Sequence, residues 1–285
     1  MNISILQNYW ELTKPRLVSL VLLSTVVGFV MAEKGSVDWK LLMLTLFGTA
    51  LTAAGSMALN QWMESDRDAM MKRTAVRPIP QKRISRPQAL LFGGILSLTG
   101  VALLYTFVNP ISSGIAAATI LSYLLVYTPL KVKTVYSTLV GALPGALPPL
   151  IGWAASRGEL NFQGWTLFAI VFFWQMPHFL ALSWMLRDQY KVAGFRMLAV
   201  LDPDGKQVFK EMVFYSIVMV PVSVLPSFVG LTGIVYGGIM LILSLGFLFL
   251  LWKDRNQFNE KARFLFRMSL LYLSILLIVM MIDKQ

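Results

Sequence analysis

Apolar residues fall into nine long runs separated by shorter polar stretches. The runs lie at roughly Leu17–Ala32, Leu41–Asn60, Gln88–Val108, Ile111–Tyr127, Val135–Ala154, Trp165–Trp184, Met212–Gly230, Gly233–Trp252 and Phe264–Ile282. Each approaches the length, about 20 residues, that a helix needs to cross a hydrocarbon core. The third and fourth runs are separated only by the Asn109-Pro110 turn, and the seventh and eighth by little more than Leu231-Thr232. The pattern predicts an all-α membrane protein of nine transmembrane helices. No linker, low-complexity tract or strong internal repeat interrupts it, so residues 1–285 are expected to form a single domain.

Composition narrows the class further. Of 285 residues, 56% are hydrophobic, 14% are charged and none is Cys. Soluble domains carry about 25% charged residues. Disorder is excluded by the apolar content, and a disulfide framework by the missing Cys. The net charge of +11 raises nucleic acid as a partner. Its distribution points to topology instead. With nine spans, 21 of the 25 Lys and Arg residues fall on one side, leaving Lys34, Lys40, Arg157 and Lys284 on the other. The positive-inside rule then places the N-terminus in the cytoplasm and the C-terminus outside, with the bilayer rather than nucleic acid as partner. The first run, after Lys14 and Arg16, lacks a small-residue cleavage site and is read as a retained span. No Arg- and Ser-rich transit segment precedes it, which favours a bacterial cell (inner) membrane.

Acids and bases share the same two loops on the basic side. The more informative stretch is Asn60-Gln-Trp-Met-Glu64-Ser-Asp66-Arg-Asp68, followed by Lys72-Arg73-Thr74 and Arg77-Pro78. Asn60, Glu64 and Asp68 are spaced i, i+4, i+8 and line one helix face, with Asp66 well off it. One amide and two carboxylates make an all-oxygen site suited to Mg²⁺, which keeps several waters and commonly also binds substrate phosphates. Arg73 and Arg77, four apart with Lys72 beside them, offer donors for phosphate oxygens. A carboxylate stripe followed by cationic clamps fits a diphosphate. The plain alternative is a loop with scattered surface ion pairs.

Other polar positions are more ambiguous. Lys131 and Lys133, in a short turn, are either phosphate ligands or topology signals. Gly141 and Gly145 permit close helix contact, and Pro148-Pro149 predicts a break or kink in the fifth span. His178, the only His, lies in the sixth span within Trp174-Gln-Met-Pro177-His178-Phe179. It is either a haem-iron ligand or proton shuttle, or a buried His bonded to a neighbouring helix. Asp188 could hold a second metal ion or face the first cluster across a cavity, but Trp184 and Val192 at i−4 and i+4 exclude a second carboxylate stripe.

These motifs together resemble the UbiA superfamily of intramembrane prenyltransferases, and within it the branch that farnesylates haem. The resemblance covers nearly the whole chain. It is carried by Asn60-xxx-Glu64-xxx-Asp68-xx-Met71-x-Arg73-Thr74-xx-Arg77-Pro78, Tyr127-Thr128-Pro129-Leu130-Lys131, Gly145-Ala146-xx-Pro149-xx-Gly152-Trp153 and Trp174-Gln175-x-Pro177-His178-Phe179. Tyr190-xx-Ala193-Gly194-xx-Met197-Leu198 extends it. The resemblance implies a nine-helix bundle with transfer of a farnesyl group from farnesyl diphosphate to a vinyl group of haem b. Mg²⁺ would sit on Asn60, Glu64 and Asp68, with Asp188 as a further candidate ligand. Lys72, Arg73, Arg77, Lys131 and Lys133 would hold the diphosphate, and His178 the haem. Haem A synthase or oxidase assembly proteins would be downstream partners. The chain lacks the second Asp-xxx-Asp motif of the quinone-precursor enzymes, and Gln189 stands where the haem branch often has an acid before the Tyr. A prenyltransferase for a quinone precursor or another tetrapyrrole, and more distantly an anion transporter, are the alternative readings.

Overall fold

Helices of membrane-spanning length follow from the apolar runs, and capping residues in the polar stretches set their starts. The computed structural model describes residues 4–285. Among the described residues, nine helices are long and apolar enough to cross a membrane. Ser4 caps a short amphipathic helix, α1 (Ile5–Leu12), and the spans begin with α2 (Pro15–Ala32), which has Pro at its first turn. The second span is α3 (Trp39–Asp68), capped by Asp38, and the third is α4 (Arg86–Phe107), started by a Ser85–Gln88 capping box. Asn109 caps α5 (Pro110–Leu121), which passes through a π-helical segment, Ser122–Tyr127, into α6 (Thr128–Leu130). These three pieces form the fourth span.

The fifth span is broken into α7 (Ser137–Ala146) and α8 (Pro148–Arg157). The break falls at Leu147, where Pro148 and Pro149 remove two amide donors and clash with the preceding turn. Then come α9 (Phe162–Met185), two short helices, α10 (Arg187–Val192) and α11 (Leu198–Leu201), and the spans α12 (Lys206–Phe228), α13 (Ile234–Lys253) and α14 (Phe258–Ile282).

Three close approaches between helices matter for the site. At the crossing of α2 and α8, a side chain at Gly152 would collide with the Thr25 carbonyl. Only a bare Cα lets the helices approach this closely. Gly141 likewise faces the Tyr127 ring and Gly145 the Gln175 side chain. The largest apolar cluster joins α2, α8, α9, α12, α13 and α14 through Trp153, Ile170, Trp184, Met212, Tyr236 and Leu276. Large apolar residues such as Leu91, Leu98, Ile242 and Phe249 point outward. In a membrane, that outward face meets lipid.

The second span departs most from the apolar pattern. The apolar run stops near Asn60, but the helix continues to Asp68. Its last two turns carry charge because that charge is paired across to other elements.

Candidate active site

The extension of α3 builds the site. Asn60, Glu64 and Asp68 occupy successive turns of one uninterrupted helix and are 1%, 6% and 1% exposed. Asn60 Nδ2 donates to Glu64 Oε2 at 3.1 Å, and to Thr128 Oγ1 at 3.2 Å. The Thr128 hydroxyl in turn donates to the Tyr123 carbonyl in the π-helical segment. A π-bulge widens the helix and re-aims side chains, and such bulges recur at functional sites. Here the bulged stretch ends beside the turn that carries Lys131.

Each oxygen ligand candidate already has a cation. Lys131 Nζ donates to Glu64 Oε1 at 2.8 Å and Oε2 at 3.1 Å. Arg77 Nη1 lies 2.6 Å from Asp68 Oδ2. Lys14 Nζ donates to Asn60 Oδ1 at 3.1 Å. Burial works against the charge on Lys131, but the Tyr127, Glu64 and Tyr123 oxygens outweigh it and hold the ammonium above the ordinary lysine range. The Lys131 ammonium also sits 4.5 Å above the Tyr127 ring. Lys14 behaves differently. Burial, then the positive charge of Arg77, lower it to about 7 despite the pull of Glu64. Its proton is therefore held less tightly than that of Lys131, and an incoming anion would favour the charged form. Three cations face two carboxylates, so the pocket is one positive charge in excess with all groups ionised.

The two polar loops close over this cluster. The Arg73 amide donates to Gln189 Oε1 at 3.2 Å, and the Arg196 amide to the Lys131 carbonyl at 2.8 Å. Met71 from the first loop packs with Ala193, Phe195 and Met197 from the second. Thr74 ties the first loop to the end of α3 through the Asp68 carbonyl.

Of the residues expected from the sequence, Asn60, Glu64, Asp68, Arg77 and Lys131 come together. Lys72, Arg73 and Lys133 are exposed, and Arg73 engages its neighbours through its backbone. Asp188 is also apart: its side chain is 92% exposed and lies 3.9 Å from its own neighbour, Arg187. Sequence reasoning missed Lys14, which it counted only as a topology charge. Locally, nothing distinguishes Lys14 from Lys34. A left-handed backbone at Lys14 (φ 49°), just before Pro15, is what places it here.

His178 forms a second polar centre. Its ring is stacked on Trp174 (centroids 5.0 Å apart) and on Phe266 (4.5 Å). Nδ1 lies 2.9 Å from Ser269 Oγ on α14. This is the helix-to-helix bond that the plain reading of a buried His anticipates, and it leaves Nε2 uncommitted.

The arrangement is thus a bundle of membrane-spanning helices with a buried, cation-ringed carboxylate face at one end. The chain belongs to the UbiA prenyltransferase family, whose model matches residues 21–271. It is 41% identical to the protoheme IX farnesyltransferase of Solibacter usitatus, over 98% of this chain and 99% of that one. It is 40% identical to the protein of that name from Opitutus terrae, over 97% and 94% of the two chains. Among solved structures, a digeranylgeranylglyceryl phosphate synthase superposes with a TM-score of 0.83 at 18% identity, covering 99% of each chain. A UbiA homolog from Archaeoglobus fulgidus, bound to DMAPP and Mg²⁺, gives 0.68 at 16% identity, over 96% of this chain and 99% of its own.

Proposed function

We propose that the chain transfers a farnesyl group from farnesyl diphosphate to a vinyl group of haem b, giving haem O. The observation that carries this reading is the α3 face with its three paired cations. The oxygen donors of Asn60, Glu64 and Asp68 suit a hard divalent ion. Among the described residues, no three His, Cys, Asp or Glu side chains are grouped so as to hold a metal ion by themselves. Phosphate oxygens and water would therefore complete the shell, as Mg²⁺ prefers. When bound, Mg²⁺ neutralises the departing diphosphate. Lys14, Arg77 and Lys131, held at the α3 oxygens, would supply positive charge to meet the negative charge developing on the leaving group.

The allylic C–O bond breaks, and its electron pair leaves with the diphosphate. The vinyl π pair of haem forms the new C–C bond. Water adds to the resulting cation and releases a proton to solvent, which leaves the hydroxyethylfarnesyl chain. The rings of Tyr127 and Phe195 beside the Lys131 ammonium, and Met71 packed against Phe195, would limit early capture of the allylic cation by bulk water. His178 would hold the porphyrin substrate, and Asn60, Glu64 and Asp68 would hold Mg²⁺.

The family relationship and the relatives at about 40% identity support the same reading. The test is purified protein with farnesyl diphosphate, haem b and Mg²⁺, followed by product mass. The reading expects haem O, lost with EDTA. Prenylation of a hydroxybenzoate instead, or anion uptake into sealed vesicles without any product, would overturn it.

We further propose a single domain over residues 1–285 in the bacterial inner membrane, with the site at the cytoplasmic surface. Haem O would pass to haem A synthase or oxidase assembly proteins. Because the chain has no Cys, single-Cys labelling tests orientation cleanly. Lys82→Cys should react from the cytoplasmic side and Lys34→Cys from outside; the reverse would refute the placement.

A further inference from the structure

The surroundings of His178 fix more than its position. Both ring faces are covered, by Trp174 and Phe266, and Phe179 stands edge-on at 5.2 Å. The ring is held in one plane. Trp174 Nε1 donates to the Ser269 carbonyl at 2.7 Å, which sets the register of α9 against α14 independently of the imidazole.

The Ser269 hydroxyl carries one hydrogen and meets two partners. It lies 2.7 Å from the Phe266 carbonyl in its own helix and 2.9 Å from His178 Nδ1. A carbonyl can only accept. Serine in a helix commonly donates back to the carbonyl of the preceding turn, and the Phe266 contact is the shorter one. With its hydrogen committed there, Ser269 Oγ can only accept from His178, so the hydrogen of the neutral imidazole must be on Nδ1. Nε2 then carries a lone pair. Neutral imidazole binds metals through such a nitrogen, and the hydrogen bond at the other nitrogen selects which one is free.

We infer that Ser269 is a positioning residue: it holds His178 as the Nδ1–H tautomer and presents Nε2 as the lone-pair nitrogen for the iron of the porphyrin substrate. The chain Nδ1–H to Ser269 Oγ, and Ser269 Oγ–H to the Phe266 carbonyl, is a relay of fixed polarity. The iron-facing half of this inference rests on the haem reading above; the tautomer does not.

His178 is the only histidine, so ¹⁵N-histidine labelling gives one pair of ring signals. The full chain in detergent, without haem, should show hydrogen on Nδ1 and a bare Nε2. Ser269→Ala should lose that preference and Ser269→Thr should retain it. Haem titration should show affinity about 10- to 100-fold weaker in Ser269→Ala, with an altered Soret band, and recovery in Ser269→Thr. Hydrogen on Nε2 in the unaltered protein, or an unchanged tautomer in Ser269→Ala, overturns the proposal. An Nδ1–H signal together with haem affinity and spectrum unaffected by His178→Ala overturns the iron-facing role while leaving farnesyl transfer to be judged by product mass.

Discussion

At the end of α3, polar side chains hold one another by charge; on the α9–α14 seam they do so through stacked rings, a hydroxyl and an indole. In the first cluster Glu64 is paired with Lys131, Asp68 with Arg77, and Asn60 with Lys14. In the second, His178 is fixed by Trp174, Phe266 and Ser269. Ion pairs between flexible side chains can change partners when a metal ion and a diphosphate arrive. A ring clamped on both faces cannot. The first cluster is suited to exchange and the second to fixed orientation, and substitutions in the two should fail in different ways.

The largest effect is expected where exchange itself is removed. Asp68→Asn keeps the volume and one oxygen but loses the anion, and with it both the proposed metal ligand and the partner that holds Arg77. Haem O formation should fall about 10³-fold, the upper end for loss of one preorganised electrostatic contact, with folded protein still in the membrane. Near-normal turnover would separate the α3 face from the chemistry.

Lys131→Met addresses stability. It leaves Glu64, 6% exposed, without its strongest partner. Removing one side of a buried pair costs about 3 kcal/mol or more. The unfolding midpoint in detergent should drop accordingly. Adding Glu64→Gln should recover most of the stability and none of the activity. Equal loss in the single and double variants would mean that Lys131 contributes packing rather than charge.

The seam should respond more mildly. Trp174→Phe keeps a ring over His178 but deletes the 2.7 Å bond to the Ser269 carbonyl. That is about 1 kcal/mol of stability. Thermal unfolding would measure it, and a loss several times larger would show that the indole, not the stack, orders the two helices.

How much of this was legible in the sequence differs between the same two regions. The spans were plain, because an apolar run of membrane length has few alternative fates. The i, i+4, i+8 spacing also read correctly as one face, since helical periodicity alone fixes it. The end of α3 read less well. The four-residue spacing of Arg73 and Arg77 pointed to a helix running on to Pro78, whereas α3 stops at Asp68 and the chain turns there, with Thr74 and Arg77 folded back onto Asp68. Lys14 was hidden for a related reason: its role depends on a left-handed turn and on contacts 46 residues away. The partner of His178 lies 91 residues on, in a helix with no motif of its own. Lys72, Arg73 and Lys133, expected as diphosphate ligands, stand exposed outside the ion pairs, because charge and proximity in the chain do not specify on which side of a turn a side chain emerges.

The smallest effect tests whether burial, rather than acidity, distinguishes the α3 face. Asp66 lies two residues from both Glu64 and Asp68, on the same helix, with its side chain 80% exposed and its carboxylate bound to Arg86 at 3.0 Å. Exposed pairs of this kind contribute less than about 1 kcal/mol, because water already solvates both ions and salt screens what attraction remains. Asp66→Asn should therefore change stability by a few tenths of a kcal/mol at most and leave haem O formation and its Mg²⁺ dependence intact. A turnover loss comparable to that of Asp68→Asn would mean that the loop's overall negative charge, not the register of three side chains on one helix face, draws the metal ion to this end of the bundle.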